Sequence, residues 1–502
     1  MNQEQIIDIY TRNLKKYNLS LHENKIWDYV IITATNEEQK QYYINQIENR
    51  KNKKILNKET IYLVVSQYKN KNVGSGGAFL NTLKILKEKF GKDVFKSKIL
   101  YIQSAGMAQR NAYYSNIGKV FIPIQRKITE NVYSDVFDEI LINMNQVGVK
   151  MSKGILVTCG DVVLINDENE LNIDDKDCFA LSTEENVIRG TKHGVFGKNN
   201  NSYLNRFLHK KSIEVLEKNG AVNNGKINID TGIIYMNSNI LENIYSIFLN
   251  KAKKFDINEF EKFVNTDLQL EFYMDFLYPF SKDASIEEFV NETTLKFRDN
   301  EIKYCRKKLW NTLHKYNMYI NTLKNATFIH FGDSKELLEI KVNKTLKQIG
   351  WNETIKNNRI TMSEDDLYIQ NCEIPNNFKK PKNSILINLK IANGIEIPND
   401  IIMYTNKLKN NKYVTLIYGI TDDIKSNRTL FNMVTKINKD ENIKSIWDCD
   451  LFIPQNTEEE AVKSSIDIYN LFNNRNSKIT WNAYMNIPKI SIAKTIKYQT
   501  IS

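Results

Sequence analysis

Strand-like apolar segments alternate with amphipathic helical segments over the first three-fifths of the chain. The dense β-branched runs WDYVIITAT (27–35) and TIYLVVSQY (60–68) are each followed by a segment with helical spacing. KILYIQ (98–103) and GILVTCGDVVLI (154–165) continue the series. Continuous apolar strands between amphipathic helices are typical of a mostly parallel sheet that is covered on both faces. We therefore predict an α/β domain here.

The composition indicates a globular protein of two or three domains. Of the 502 residues, 41% are apolar and 11% aromatic, as in ordinary folded proteins. The net charge of +11 is spread along the chain, without a basic arm, a zinc finger or an aromatic RNA-binding motif, so we expect no nucleic-acid partner. No apolar run approaches the roughly 18 residues of a membrane span, and no signal-peptide pattern opens the chain. The five cysteines form no paired framework. We expect a cytoplasmic protein with no membrane span.

The pattern changes after about residue 340, where short apolar segments alternate with polar turns. Two apolar series repeat there every six positions: Ile385, Ile391, Ile397 and Met403, and Leu389, Ile395 and Ile401. Two inward positions in six residues are typical of a β-helix coil, although so short a repeat also arises by chance. We predict a first domain over 1–325 and a β-helix-like domain over 326–502 with a terminal helical segment.

A glycine-rich turn opens one predicted helix. In NVGSGGAFLNTL (72–83), Gly74, Ser75, Gly76 and Gly77 precede the helix, where bare backbone N–H groups and the helix dipole favour an anion. The turn lacks the Lys-Ser/Thr pair of a Walker loop and the third glycine of a dinucleotide fingerprint. A plain strand-to-helix turn would use glycines equally well.

A second turn combines small residues with cations. In IQSAGMAQRNAYYSNIGK (102–119), Gly106 belongs to the turn, Arg110 follows, and Lys119 comes nine residues after Arg110. Accessible backbone N–H groups together with two cationic side chains can bind the oxygens of a polyphosphate. The alternative is an ordinary strand end with a solvated Arg and Lys.

Three aspartates are candidates for a metal site. Asp161 follows a buried apolar strand, where a carboxylate is costly without a partner, and the carboxyl edge of a parallel sheet is a usual ligand site. Hard oxygen ligands there are typical of Mg²⁺, and a helix cap or turn is the alternative. As the second ligand we favour Asp275 over Asp230, because Asp275 lies alone in the aromatic stretch LQLEFYMDFLYP.

Further cations follow in GTKHGVF and RFLHKKS. His193, Lys210 and Lys211 are candidates for binding a second phosphate, or are surface residues. The chain has no GxSxG elbow, no HExxH helix and no signature of a nucleophilic cysteine. Phosphate chemistry is therefore the class that the motifs favour.

Taken in order, these motifs resemble the fucose-1-phosphate guanylyltransferase (GDP-fucose pyrophosphorylase) family, which also forms the front part of bifunctional fucokinases. VGSGGAFLNTL resembles its Gly-Ser/Asn-Gly-Gly loop, and SAGMAQRNAYYSNIGKVFIPI its Gly-Gly-x-Ser-x-Arg…Gly-Lys-Ile-Phe segment. VTCGDVVL, KHGVF, FLHK, YMDFLYP and TFIHFGDSKELL follow in the family's order. IEIPNDIIMYTNKL, YVTLIYGITDD and SIWDCDLF resemble its carboxy-terminal region. The resemblance runs from about residue 25 to the end.

The resemblance implies a Rossmann-like, GT-A-type nucleotidyltransferase domain followed by a β-helix-like domain. It also implies a reaction in which a sugar 1-phosphate attacks the α-phosphorus of a nucleoside triphosphate in line and pyrophosphate leaves. Arg110 and Lys119 would be the catalytic residues that clamp the triphosphate and stabilise its developing charge. The backbone that approaches the nucleotide would be that of Gly74, Ser75, Gly76, Gly77 and Gly106.

The remaining candidate residues receive roles from the same resemblance. Asp161 would hold Mg²⁺, with Asp275 as the second ligand. Lys210 would bind the phosphate of the sugar, and His193 would lie near it. The partners expected are therefore small molecules, a nucleoside triphosphate and a sugar 1-phosphate.

The chain departs from the family pattern around the Arg. Ala105 replaces the first Gly of the pair, Ala108 replaces the Ser, and Asn111-Ala112 stands where Leu-Pro is usual. Because of these changes, the resemblance does not determine which nucleotide base and which sugar the protein binds. The chain also lacks the Gly-rich kinase segment of the bifunctional enzymes, so we do not expect it to phosphorylate free fucose.

We therefore expect a Mg²⁺-dependent nucleotidyltransferase that makes GDP-L-fucose from GTP and L-fucose 1-phosphate. One alternative is the same chemistry on another nucleotide or sugar 1-phosphate. The other is a non-catalytic protein that binds nucleotide sugars.

Overall fold

The computed structural model describes residues 2–23, 25–106, 108–292, 299–352, 359–422, 424 and 445–499. The chain forms two compact units. The first unit consists of Met1–Gly106 and Phe137–Ile329, and the second of Met107–Val136 and His330–Ser502. This division differs from the predicted domains 1–325 and 326–502, because an early segment belongs to the second unit.

That early segment is held by hydrogen bonds within the second unit. The Asn111 side-chain amide donates to the Phe331 carbonyl at 3.2 Å. The Tyr114 hydroxyl donates to the side chain of Gln370 at 3.3 Å. Buried polar groups of the segment are therefore satisfied by residues more than two hundred positions away, which no local pattern in the sequence reveals.

The described residues form strands with the following bounds: β1 (Tyr29–Ala34), β2 (Ile61–Ser66), β3 (Lys98–Gln103), β4 (Pro123–Thr129), β5 (Val132–Asp135), β6 (Gly154–Cys159), β7 (Val162–Asn166), β8 (Cys178–Asn186), β9 (Gly194–Lys198), β10 (Leu204–His209), β11 (Lys226–Asn237), β12 (Tyr319–Leu323), β13 (Ala326–His330), β14 (Ile360–Glu364), β15 (Leu367–Cys372), β16 (Ser384–Ile387), β17 (Ile401–Lys407) and β18 (Tyr413–Gly419). Their α-helices have these bounds: α1 (Gln3–Ser20), α2 (Glu37–Asn52), α3 (Gly74–Phe90), α4 (Val136–Lys150), α5 (Val187–Gly190), α6 (Ile213–Lys218), α7 (Ser238–Ser246), α8 (Ile257–Phe263), α9 (Ile286–Asn291), α10 (Asp299–Leu313), α11 (Ser334–Lys341), α12 (Lys344–Gln348), α13 (Glu458–Phe472), α14 (Trp481–Asn486) and α15 (Ile492–Tyr498). The alternation predicted for the first part of the chain is confirmed.

The large sheet of the first unit is mixed. Its strands run in the order β10-β9-β11-β6-β3-β1-β2, and β8 pairs with β11 and β12. The strands β2, β1, β3 and β6 are parallel, as predicted. β11 runs antiparallel to β6, β8 and β9, so a mostly parallel sheet was the wrong expectation. β9 and β10 are joined by a short turn, which permits only antiparallel pairing.

Helix α3 shows how the local sequence sets an element. Its apolar positions are buried against the sheet, and it ends at Gly91, whose φ of 85° is unfavourable for residues with a Cβ. The Gly91 N–H donates to the Lys87 carbonyl at 3.1 Å. Gly91 thus ends the helix through a conformation that favours glycine.

The second unit contains a five-stranded sheet in the order β14-β15-β16-β17-β18. β15, β16 and β17 are parallel, with Leu367 opposite Ser384 and Ile385 opposite Ile402. Side chains 17 residues apart therefore meet on neighbouring strands, as in the hydrogen bond between Asn371 and Asn388. Ile395 is half-buried, whereas the other members of the predicted six-residue series are buried.

Among the described residues, no helix combines the length and the apolar character that crossing a bilayer requires.

The second unit also buries a lysine. Lys341, the last residue of α11, is 1% exposed, and its ammonium donates to the Pro123 carbonyl. The ammonium lies 5.1 Å from the centre of the Tyr368 ring. Burial lowers the pKa of Lys341 from 10.5 to about 7.

We predict a pH dependence of stability from Lys341. Between about pH 7 and pH 10.5 the unfolded chain binds this proton more tightly than the folded chain, so the free energy of unfolding rises with pH in this window. Lys341→Met removes the contribution, which is on the order of a few kcal/mol. The melting temperature of the wild type should therefore rise relative to that of Lys341→Met as the pH increases. Lys335→Met, an exposed position on the same helix, is the control. Parallel pH profiles for wild type and Lys341→Met would contradict the prediction.

Candidate active site

Loops at the carboxyl edge of the parallel strands carry several predicted residues of the first unit. The turn after β3 is held by the end of β1, because Thr33 Oγ1 accepts from the N–H groups of Ser104 and Ala105 at 2.9 and 3.1 Å. The Gly106 N–H donates to Thr35 Oγ1 at 2.8 Å. The threonines thus fix the backbone of this turn.

The glycine-rich turn 74–77 forms the first turn of α3 and packs against another part of its own unit. A Cβ on Gly74 would lie 2.3 Å from the Leu270 carbonyl oxygen, and one on Gly76 would lie 3.0 Å from it. The Gly76 N–H already donates to that oxygen at 2.8 Å. Ser75 Oγ accepts a backbone N–H from the same segment at 2.8 Å. Close packing therefore accounts for two of these glycines, and their role in binding a nucleotide stays a prediction.

Asp161 lies in the turn between β6 and β7, and Asp230 lies in β11, which pairs with β6. β11 and β6 are antiparallel, with Ile234 opposite Val157. A Cβ on Gly232 would be 2.9 Å from Cys159 Sγ, so β11 stays close to the end of β6 at this point. The pairing of β11 with β8 is irregular between Asp230 and Ile233.

A tyrosine hydroxyl lies among these groups. Tyr273 Oη donates to the Gly232 carbonyl and contacts Cys159 Sγ, each at 2.9 Å. Burial raises the pKa of Tyr273 well above its ordinary value, and the nearby Cys159, Asp230 and Asp161 raise this pKa further. The two carboxylates therefore both lie within electrostatic range of one buried phenol.

Asp230 is a buried carboxylate with little protein compensation. It is 8% exposed, and its Oδ1 accepts the Gly232 N–H at 2.8 Å. Burial raises the pKa of Asp230 to about 7, although this hydrogen bond opposes the shift. No second hydrogen-bond donor to this carboxylate is found among the described residues. A bound cation would offset the cost of burying the charge.

Asp275 has a structural partner instead. Its Oδ1 accepts from Arg306 Nε at 2.9 Å and its Oδ2 from the Glu271 N–H at 2.7 Å, and both side chains of the ion pair are almost fully buried. Arg306 Nη1 donates to the carbonyls of Phe289 and Glu292. Both Asp275 oxygens are engaged within the protein, so its charge already has a partner, and its role as a metal ligand stays a prediction.

His193 and Lys210 are neighbours in the structure, and their roles at a sugar phosphate stay predictions. The Lys210 N–H donates to the His193 carbonyl at 3.0 Å, where β9 and β10 are paired. The Lys210 side chain is exposed, and the His193 ring lies 5.9 Å from the Phe328 ring. Lys211 forms an ion pair with Glu292 and so has a structural role.

Arg110 and Lys119 belong to the second unit. The Arg110 side chain is exposed, and its carbonyl accepts from Ser334 Oγ at 3.0 Å. Lys119 Nζ donates to the Gly332 carbonyl at 2.9 Å. Both residues are thus attached to the start of α11, in the segment TFIHFGDSKELL.

Sequence reasoning gave Tyr273 no role and preferred Asp275 to Asp230. The signal for Asp230 was its position inside a long apolar strand, NIDTGIIYM, where a charge needs a reason. Tyr273 has no comparable signal, because a tyrosine in an aromatic stretch is an ordinary core residue.

Residues 91–484 match the family model described as the fucose pyrophosphorylase domain. The chain belongs to the fucose pyrophosphorylase family. This membership confirms the resemblance found in the motifs, and it assigns to the family both the segment with Arg110 and Lys119 and the strands with Asp161 and Asp230.

Two relatives and one solved structure show how far the similarity extends. Human fucose-1-phosphate guanylyltransferase is 26% identical over 343 residues, covering 62% of this chain and 55% of the relative. A bifunctional fucokinase/GDP-fucose pyrophosphorylase of Arabidopsis thaliana is 22% identical over 350 residues, covering 62% of this chain and 31% of the relative. The chain thus spans about half the length, or less, of these curated relatives. HddC of Yersinia pseudotuberculosis, solved with GMP-PN, is 13% identical over 65% of this chain and 81% of its own, with a TM-score of 0.27, too low to add to the assignment.

We predict opposite effects of Asp275→Asn and Asp230→Asn on stability in the presence of a chelator. Asp275→Asn leaves the Arg306 guanidinium buried without its carboxylate, which costs about 3 to 5 kcal/mol. Asp230→Asn removes a charge that is costly to bury above about pH 7, so stability should be unchanged or higher there. Thermal melts of both variants above that pH provide the measurement. A similar loss of stability in both would contradict the different roles of the two carboxylates.

Proposed function

We propose that this chain is a sugar-1-phosphate nucleotidyltransferase that joins GTP and L-fucose 1-phosphate into GDP-L-fucose and releases pyrophosphate. Membership in the fucose pyrophosphorylase family is the observation that carries this proposal. The names of the human and Arabidopsis relatives agree with it. Asp161 in the turn after β6 and Asp230 in β11 supply a chemical basis, because nucleotidyl transfer needs negative phosphate oxygens to be neutralised and aligned.

Asp161 and Asp230 are the residues that would hold Mg²⁺ in the first unit. Two carboxylates plus substrate phosphates are a usual ligand set for this ion. The buried Asp230 fits such a role, since its charge has a single hydrogen-bond donor among the described residues. Bound Mg²⁺ would supply charge neutralisation for the triphosphate. Tyr273, by its hydrogen bond to the Gly232 carbonyl, would keep the β11 backbone beside Asp230 in place.

Arg110 and Lys119 remain the proposed catalytic residues. Their support is the resemblance of the surrounding segment to the family and the match of that segment to the family model. A guanidinium binds two phosphate oxygens through a planar fork, whereas an ammonium acts as a point charge. Lys210, next to His193, is the proposed ligand of the sugar phosphate, and the backbone of 74–77 and Gly106 is proposed for the nucleotide.

The second unit is proposed to be β-helix-like. Three parallel strands that stack at a spacing of 17 residues support this proposal. A cytoplasmic location also remains a proposal.

A substrate panel tests the proposed function. Four nucleoside triphosphates are each combined with several sugar 1-phosphates in the presence of Mg²⁺, and pyrophosphate release is measured. The proposal expects the highest rate with GTP and L-fucose 1-phosphate. A higher rate with another pair would keep the chemistry and change the substrate. Binding of nucleotide sugars without turnover of any pair would favour a non-catalytic protein.

We predict that Asp161→Asn and Asp230→Asn each reduce turnover by about a hundredfold or more, because loss of a metal ligand removes several kcal/mol of transition-state stabilisation. Steady-state rates are measured over a range of Mg²⁺ concentrations, with melting temperatures as a check on folding. Asp283→Asn, an exposed carboxylate of the same unit, is the matched control. Wild-type rates in Asp230→Asn would reject Asp230 as a ligand and leave Asp161 to be judged by its own variant.

We further predict that charge alone does not replace Arg110. Arg110→Ala should lower kcat/KM by about a hundredfold, the range for loss of one preorganised transition-state donor. Arg110→Lys should not restore it, because one ammonium cannot make the paired hydrogen bonds of a guanidinium. Lys119→Arg should retain part of the activity if its role is Coulombic. Full activity of Arg110→Ala, with an unchanged melting temperature, would refute the phosphate clamp.

A further inference from the structure

The second unit contains a polar cavity that the proposed reaction does not use. Its volume is about 290 Å³, and all the residues that line it belong to the second unit. Asp161, Asp230, His193 and Lys210 are in the first unit. Arg110 and Lys119 are in the second unit, and neither lines the cavity. The cavity is therefore a candidate binding site that is separate from the proposed reaction.

One wall of the cavity follows a corner of the parallel stack. Asn371, the second-last residue of β15, and Asn388, directly after β16, line it, each with φ of 52°. The Asn371 side-chain amide donates to Asn388 Oδ1 at 2.6 Å, and Asn388 Nδ2 donates to the Tyr113 hydroxyl at 2.8 Å. Thr405, the next position in the series of 17, lines the same cavity. Successive strands thus present hydrogen-bonding side chains in a row.

A second wall holds a buried pair of carboxamides with unused hydrogen-bonding atoms. Asn406 and Gln499 line the cavity and are 8% and 7% exposed. Asn406 Nδ2 donates to Gln499 Oε1 at 2.7 Å. Among the described residues, neither Asn406 Oδ1 nor Gln499 Nε2 has a hydrogen-bond partner. The pair therefore offers one acceptor and one donor side by side.

The charges of the lining are nearly balanced. Arg359 forms an ion pair with Glu458, and both line the cavity. Lys407 also lines it, and its ammonium makes no ion pair with a described residue. The rings of Tyr113 and Tyr413 and the side chain of Ile117 also line the cavity, and Lys407 Nζ lies 5.9 Å from the centre of the Tyr413 ring. A lining of amides, tyrosines and one cation without a described carboxylate partner is neither an apolar pocket nor a cluster of phosphate-binding cations.

We propose that this cavity binds a hydroxyl-rich ligand of the size of one monosaccharide. Its volume lies at the low end of the roughly 300–1,000 Å³ of pockets for small molecules, which leaves too little room for a nucleotide sugar. Two neighbouring hydroxyl groups of a sugar can donate one hydrogen bond and accept another. This pattern matches the acceptor of Asn406 and the donor of Gln499. Tyrosine rings supply apolar surface for the C–H face of such a ring. The free sugar and the monosaccharide phosphate share this chemistry, and Lys407 is the group that would distinguish them.

Binding is tested by calorimetric titration of the full chain, without nucleotide, with L-fucose, D-mannose, L-fucose 1-phosphate and inorganic phosphate. The proposal expects binding of at least one sugar or sugar phosphate. Asn406→Leu should weaken this binding about tenfold, since it removes one hydrogen-bond partner and leaves another unpaired. Lys407→Ala should weaken only the phosphate ester, and Lys412→Ala, an exposed lysine outside the lining, is the matched control.

Melting temperatures establish whether Asn406→Leu is folded, and Gln499→Met, the other half of the pair, replaces it if it is not. Absence of binding by every sugar and sugar phosphate would overturn the proposal. Binding whose affinity is the same in Asn406→Leu and Gln499→Met as in the wild type would also overturn it, because such a ligand would be bound in the first unit. Binding of inorganic phosphate alone would overturn it as well. None of these results depends on turnover, so they leave the proposed function to be judged separately.

Discussion

The antiparallel pairing of β11 is the interaction on which the first unit depends. This strand pairs with β6, the last strand of the parallel half, and also with β8 and β9. It therefore joins both halves of the sheet. Because register alternates side chains between faces, the same pairing decides which residues of β11 meet the end of β6. The pairing of β11 with β8 is irregular between Asp230 and Ile233, so the alternation of side chains between the two faces changes next to Asp230. The position of Asp230 therefore depends on the pairing of β11.

Local patterns were sufficient to predict the elements of the parallel half. Dense β-branched runs and helical spacing located β1, α2, β2, α3 and β3, because these elements are specified by their own burial. The pairing partners of β8 to β12 were not predictable in this way, since direction within a sheet depends on contacts between distant segments. The same limit explains why 107–136 belongs to the second unit, where its hydrogen-bond partners lie far along the chain.

The sequence indicates a candidate site residue more readily when its role follows from its position after a strand. It does so less readily when a buried charge or a glycine has two possible explanations. Asp161 follows directly from a buried strand with a polar end. Asp275 satisfied the same criterion of an isolated charge among aromatics, yet its compensation is Arg306, a residue in another helix. Gly76 is similarly explained by the Leu270 carbonyl, against which only a residue without a Cβ fits closely. A rare residue in an apolar setting thus indicates that a partner exists, and only the fold shows which partner it is.

The spacing of 17 residues between stacked strands also restricts how the second unit can change in length. Asn371 and Asn388, 17 residues apart, share a left-handed backbone conformation and a side-chain hydrogen bond. Loss of a single residue between β15 and β17 would exchange inward and outward side chains over the strand that follows. Loss of a full 17-residue repeat would leave the inward pattern of the remaining strands intact. Homologues that differ in length here are therefore expected to differ by whole repeats or in the loops between strands.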